Sequence, residues 1–216
     1  MFDAQMWKMI WTAFGQTATM VFWSTLFSVI LGLIPAILLT LTAPDGLRPN
    51  KPFYSVLSFI VNVLRSFPFI ILMVLVIPLT RAIVGKAIGT RAAIVPLTIS
   101  AIPFVARVFE SAFREVDPGL IEAARSFGAS DWQIFRRVYF KEAIPGIISG
   151  IVLTMISLVG YSAMGGAIGA GGLGDVAIRK GYQAYKIEYL TATSLILIVF
   201  VQLIQSIGNK LYSKMS

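Results

Sequence analysis

The sequence contains no cysteine and no histidine. Without cysteine there is no disulfide, no thiolate nucleophile and no thiolate metal site. Without histidine there is no imidazole base and none of the common zinc ligand sets. Charge is also scarce. Only 13% of residues are Asp, Glu, Lys or Arg, whereas soluble proteins carry about 25%. Hydrophobic residues make up 57% of the chain, and the mean hydropathy is +0.82. These shortages exclude a soluble catalytic domain and indicate an all-α, polytopic membrane protein, with one transmembrane domain expected over residues 1–216. The net charge of +8 suits contact with anionic membrane lipid. The basic residues are scattered, so nucleic acid is not an expected partner. With no acid/base pair or metal cluster in view, no catalytic residue, bound cofactor or metal is expected in this chain.

Uncharged stretches of about 20 residues mark transmembrane helices. Five are expected, at about 17–41, 54–80, 92–114, 146–168 and 187–209. Ahead of the first, Phe2, Met6, Trp7, Ile10 and Trp11 recur at helical spacing. They read either as an interfacial helix, a depth that Trp favours, or as an extension of the first span. Gly32 and Pro35 are candidate bends in that span. In the second, Pro68 removes a backbone hydrogen bond and predicts a kink. Arg65 in the same span is costly within lipid. It must face a polar path or reach back to the headgroups. Arg107, Glu110 and Arg114, three and four residues apart, predict an ion-pair cluster anchoring the start of the following loop. Between the last two spans, GAGGLGD at 169–175 has no preceding strand and no following G-K-[ST], so a phosphate-binding loop is rejected. A re-entrant or extracytoplasmic loop is expected there.

The one long polar stretch is 117–145, DPGLIEAARSFGASDWQIFRRVYFKEAIP. It holds Asp117, Glu122, Arg125, Asp131, Arg136, Arg137, Lys141 and Glu142, and it reads as two short helices. Asp117 is an expected N-cap with Pro118 at N1. Leu120, Ala124 and Phe127 predict one apolar face, and Gly128 predicts the helix end. Ser130 and Gln133 form a capping box for the second helix, whose apolar stripe is Trp132, Phe135 and Tyr139. With this loop inside, ten Lys and Arg lie on the cytoplasmic side and seven outside, with Arg65 in a span. That bias has the sign of the positive-inside rule and places the N-terminus outside and the C-terminus in the cytoplasm.

Glu122-Ala123-Ala124 followed by Gly128-Ala129 resembles the EAA loop of ABC-importer permeases. One departure is the Leu-Pro that usually follows the glycine by about twelve residues; here Phe140-Lys141 stands there and the proline is Pro145. RSFPFIILMVLVIPLTR at 65–81, AAIVPLTISAIPFVAR at 92–107 and LVGYSAMGGAIGAGGLG at 158–174 resemble methionine-importer permeases, so the likeness covers most of 60–175. The resemblance implies a type I ABC importer permease fold in the bacterial inner membrane, with two permease copies forming a homodimer. It implies two ATP-binding subunits, which hold the ATP and Mg, seated on a coupling helix made by Leu120, Glu122, Ala123, Ala124, Phe127, Gly128 and Ala129. It also implies an extracytoplasmic substrate-binding lipoprotein. The translocated solute would be methionine, L- or D-.

For the path, Tyr161 and Met164 project from a turn lightened by Gly160, Gly165 and Gly166. A thioether and an aromatic edge suit a methionine side chain; helix packing is the competing reading. Ser162, Asn62 and Arg65 are further candidates for an amino acid's charged ends. Two other functions stay open at this point. One is the same permease class with another small solute. The other is a stand-alone secondary transporter or channel, against which no Asp or Glu lies centrally in a span.

Overall fold

A computed structural model describes residues 4–215. Among them all regular structure is helical. Helix α1 runs unbroken from Ala4 to Thr42, so the amphipathic start and the first span are one element. Phe2 lies outside the described residues. Gly32 and Pro35 do not interrupt α1. Gly32 is instead where α5 (Thr90–Arg114) comes closest: a Cβ there would stand 2.8 Å from the Cβ of Val105.

The second expected span is not one helix. α2 (Lys51–Arg65) and α3 (Phe69–Leu75) meet at a 99° bend, and α4 (Ile77–Val84) follows. Pro68 is the cause. It donates no N–H, and its ring disfavours helical geometry at Phe67. The sequence predicts a kink here, and the structure shows a full break. Pro78 sits in the first turn of α4, where the missing N–H is tolerated.

The remaining spans match the expected bounds within a few residues. They are α5, α9 (Ile144–Gly166) and α11 (Ile187–Met215), the last running past 209. Among the described residues four helices are long and apolar enough to cross a membrane, or up to five if the bent α2–α3 pair counts as one span. Between α5 and α9 lie α6 (Pro118–Ser126), α7 (Asp131–Ile134), a π-helical turn (Phe135–Tyr139) and α8 (Phe140–Glu142). Between α9 and α11 lie α10 (Gly172–Val176) and a π-helical segment (Ala177–Gln183).

α5 is the central helix, packed on α1, α2, α3, α4 and α9. One core joins α1, α3, α5 and α9 through Met20, Met73, Leu97 and Leu158. A second lies beneath the polar loop, and a third joins the start of α1 to α10 and α11 through Ile10, Leu173 and Ala192. The glycine-rich 169–175 stretch folds inward. Gly169, Gly171 and Gly172 take positive φ and reverse the chain, and all of α10 is buried. A Cβ on Gly166 would collide with the backbone of Asp175, so glycine permits the close approach of α9 and α10.

Candidate functional site

The polar loop is built from local capping. The carboxylate of Asp117 accepts the Gly119 N–H at 2.8 Å, and Pro118 opens α6. At the other end the Ala129 N–H donates to the Ala124 carbonyl at 3.1 Å and the Gly128 N–H to the Arg125 carbonyl at 2.9 Å. These two bonds are the Schellman pattern, with Gly128 at the left-handed position, φ +77°. Ser130 and Gln133 then exchange the two hydrogen bonds of a capping box, at 2.9 and 3.4 Å.

Tertiary contacts divide the faces of α6 differently from the expected stripe. Ile121, Ala124 and Ala129 are half-buried against the core made by Phe109, Phe113, Ile134 and Phe135. Leu120, Glu122, Ala123 and Phe127 are exposed, Phe127 at 91%. The outward apolar row is therefore Leu120, Ala123 and Phe127, at i, i+3 and i+7, while Ala124 faces its own chain. The pairing of Ile121 with Ala124 at i, i+3 was visible in the sequence, but nothing local distinguished that row from its neighbour. The second stripe is also divided. Phe135 and Tyr139 are buried, with Phe135 5.3 Å from Phe113, whereas Trp132 is 68% exposed. The π-helical turn at 135–139 alters the helical register. Burial raises the Tyr139 phenol above its ordinary pKa.

The loop is braced from the side by residues 45–48. Arg114 pairs with Asp45 at 3.0 Å, Arg48 with Asp131 at 2.7 Å, and Arg125 donates to the Leu47 carbonyl at 3.3 Å. Exposed pairs of this kind contribute about 1 kcal/mol or less each, so the aromatic packing holds the loop. Arg107 and Glu110 act elsewhere than expected. They are paired at 2.6 Å and bond α2: Arg107 donates to Ser58 and to the Asn62 side-chain carbonyl (3.0 Å), and the Tyr54 hydroxyl donates to Glu110 at 3.0 Å. Only Arg114 of the expected cluster ties down the loop.

On α9, Tyr161 stacks on Phe69 of α3, with ring centroids 4.9 Å apart and planes within 11°. Phe69 directly follows the Pro68 break and was not singled out from sequence. Met164, one turn on from Tyr161, is 47% exposed. Ser162 is buried, and its hydroxyl donates to the Val159 carbonyl at 2.7 Å, so it faces helix packing instead of the Met164 surface. Asn62 is engaged by Arg107, and Arg65 is exposed in the last turn of α2, where a cation complements the helix dipole. The break thus brings Tyr161 and the start of α3 together, while Asn62 belongs to the α2–α5 seam. Among the described residues no cluster of His, Cys, Asp or Glu is arranged to hold a metal.

The chain is 51% identical over 200 residues to the probable D-methionine transport system permease protein MetI of Vibrio cholerae serotype O1, covering 93% of this chain and 89% of that protein. It is 48% identical over 166 residues to the D-methionine transport system permease protein MetI of Escherichia coli K12, covering 77% and 76%. Its structure matches a chain of the MetNI methionine ABC transporter in an inward-facing conformation, with TM-score 0.97 at 43% identity over 100% of both chains. A chain of an amino acid ABC transporter solved with histidines shares the fold at TM-score 0.80, 22% identity and 99% coverage of both. Residues 28–215 match the description of binding-protein-dependent transport system inner membrane components. The multi-pass helical architecture, the capped loop and these matches place the chain in one family: it belongs to the binding-protein-dependent transport system inner membrane components, the permease subunits of ABC importers.

Proposed function

We propose that this chain forms the translocation path of an ATP-driven methionine importer. The observation that carries the reading is the match to the methionine transporter chain, which spans both proteins end to end. In this reading two copies of the permease assemble, and ATP is bound and hydrolysed on two partner subunits. The outward row Leu120, Ala123 and Phe127 enters a cleft on each ATPase. Glu122 lies at its rim, and Gly128 and Ala129 close the turn. An amphipathic helix in a groove is a common docking mode. The inward contacts of Ile121 and Ala124 transmit ATPase closure to α5 and α9 as a rigid-body motion. A substrate-binding lipoprotein delivers methionine from outside; the N-terminus is outside and the C-terminus in the cytoplasm. The path uses the exposed face of Met164 with Tyr161, at the point where α3 leaves the Pro68 break.

The test is reconstitution of the permease with its ATPase subunits and binding protein in proteoliposomes. Labelled L- and D-methionine should accumulate only with ATP inside the compartment that holds the ATPases. ATP-dependent uptake of another amino acid, with no methionine uptake, overturns the substrate assignment. Methionine uptake by the permease alone overturns the assignment to an ATP-driven importer.

A further inference from the structure

A cavity of about 460 Å³ lies between the first four turns of α1, the end of α10 and the π-helical segment. Its α1 wall is a stripe at helical spacing: Gln5, Lys8, Thr12 and Gln16, with Met9 and Ala13 beside it. The opposite wall presents Asp175, Arg179 and Lys180. Asp175 is 5% exposed, and its carboxylate is bonded in a fork by Arg179, with Arg179 Nε to Oδ1 at 2.5 Å. The carboxylate is thereby neutralised and fixed. Gln16 also has a structural task, accepting the Gly172 N–H at 2.8 Å. Lys8 and Lys180 are exposed, and neither takes part in an ion pair among the described residues. Among the described residues the lining therefore carries two positive charges without an ion-pair partner.

The depth of the cavity identifies the source of the anion. α1 has 39 residues, about 58 Å of helix, against about 30 Å of hydrocarbon and 40–45 Å with the headgroups. Lys8 is the last charged residue before Asp45, and it stands between two tryptophans. Trp7 and Trp11, 39% and 60% exposed on the same turns, are residues that settle at headgroup level. The tryptophans set the first turns of α1 at headgroup depth, where the cavity is lined by Lys8 and Lys180 together with the apolar Met9, Ala13 and Val176. The segment carrying Arg179 and Lys180 is π-helical, a form that recurs at functional sites.

We propose that this cavity binds the phosphodiester headgroup of an anionic phospholipid. Lys8 and Lys180 hold the phosphate, the Gln5 amide offers hydrogen bonds, and Asp175 positions Arg179 at the edge; the Thr12 hydroxyl is spent on the Lys8 carbonyl at 2.9 Å. Bound there, one lipid bridges α1 to the buried α10 and its π-helical extension.

The test is native mass spectrometry of the full-length protein, purified in its membrane assembly and equilibrated with equal phosphatidylglycerol and phosphatidylcholine. The wild type should retain phosphatidylglycerol in preference. The preference should fall roughly fivefold for each lysine removed, hence about thirtyfold in Lys8→Gln/Lys180→Gln, and it should survive in Lys8→Arg/Lys180→Arg. Lys210→Gln/Lys214→Gln, at the far end of the chain, should leave it unchanged. If the double variant fails to insert, Lys8→Gln alone, on an exposed position, should still show the fivefold loss. Equal retention of the two lipids by the wild type, or an undiminished preference in the lysine-to-glutamine variants, overturns the proposal. Displacement of the lipid by an equal concentration of inorganic phosphate shows a free-anion site and overturns it equally.

Discussion

Gly128 offers the sharpest test of how the polar loop works. It sits at φ +77° and closes the Schellman turn after α6. A Cβ built there meets nothing within 4 Å, so a substitution has no steric consequence beyond the backbone. An L-residue in the left-handed region costs about 1–2 kcal/mol, less for Asn and more for a β-branched side chain. α6 has nine residues, none of them buried, and isolated helices under about 12–15 residues are marginal in water. A penalty of 1–2 kcal/mol lowers the weight of the formed turn by roughly 5- to 30-fold. The half-buried contacts of Ile121, Ala124 and Ala129 offset only part of this. Gly128→Asn should therefore remain near wild type, Gly128→Ala should lose part of its ATP-driven uptake, and Gly128→Val should lose most of it. All three should insert in the membrane at wild-type levels, because the site touches no span. The assay is uptake per ATP hydrolysed in proteoliposomes, with co-purification of the ATPase subunit as a parallel readout. Wild-type uptake per ATP in Gly128→Val would refute the reasoning, since the turn would then not need its left-handed residue for coupling.

The two neighbouring alanines should separate in kind. Ala123→Trp, on the outward row, should leave the thermal stability of the detergent-purified permease unchanged and abolish ATPase co-purification, whereas Ala124→Trp should overpack the permease core by about 1–3 kcal/mol and lower its melting temperature. Arg107→Leu strands the buried Glu110 and should destabilise the α2–α5 seam by about 3–5 kcal/mol, read as loss of thermal stability; Arg107→Leu/Glu110→Gln should recover part of it. Met164→Ala should change the ratio of methionine to other amino acids transported without changing assembly, and an unchanged ratio would assign Met164 to packing. In this cysteine-free chain, Lys86→Cys and Ser126→Cys should react with an impermeant thiol reagent from opposite faces of the membrane; labelling of both from outside contradicts the proposed topology.

The site was legible in proportion to how local its signals are. Asp117, Pro118, Gly128 and the Ser130–Gln133 box act on backbone groups within four residues, so their effect is written in the chain and the structure reproduces it. The facing of Ala124 and Trp132 was not. Two apolar rows lie side by side on α6, and the choice between them depends on Phe109, Phe113 and Phe135, which arrive from other elements. A π-helical turn adds a register change that no simple periodicity anticipates. The α9 surface shows the same division. Met164 and Tyr161 stand out as chemistry in the sequence, but the partner Phe69 reaches Tyr161 only because Pro68 turns the chain by 99°.

By itself the sequence determined the membrane class, the approximate spans, the capped loop and the family. Long uncharged runs, N-caps and prolines act through solvation and backbone hydrogen bonding, which need no distant partner. Only the tertiary structure decided which side of each span packs. Lipid tails and protein interior are similarly apolar, so a spanning helix carries little hydrophobic asymmetry to mark its buried face. The tertiary structure also tied Arg107 to α2 and set Gly166 against Asp175. It brought the polar stripe of α1 to residues 175–180, more than 150 positions away in sequence. Each of these pairings joins residues that no local pattern connects, and close packing around glycine or pairing of scarce charges selects them.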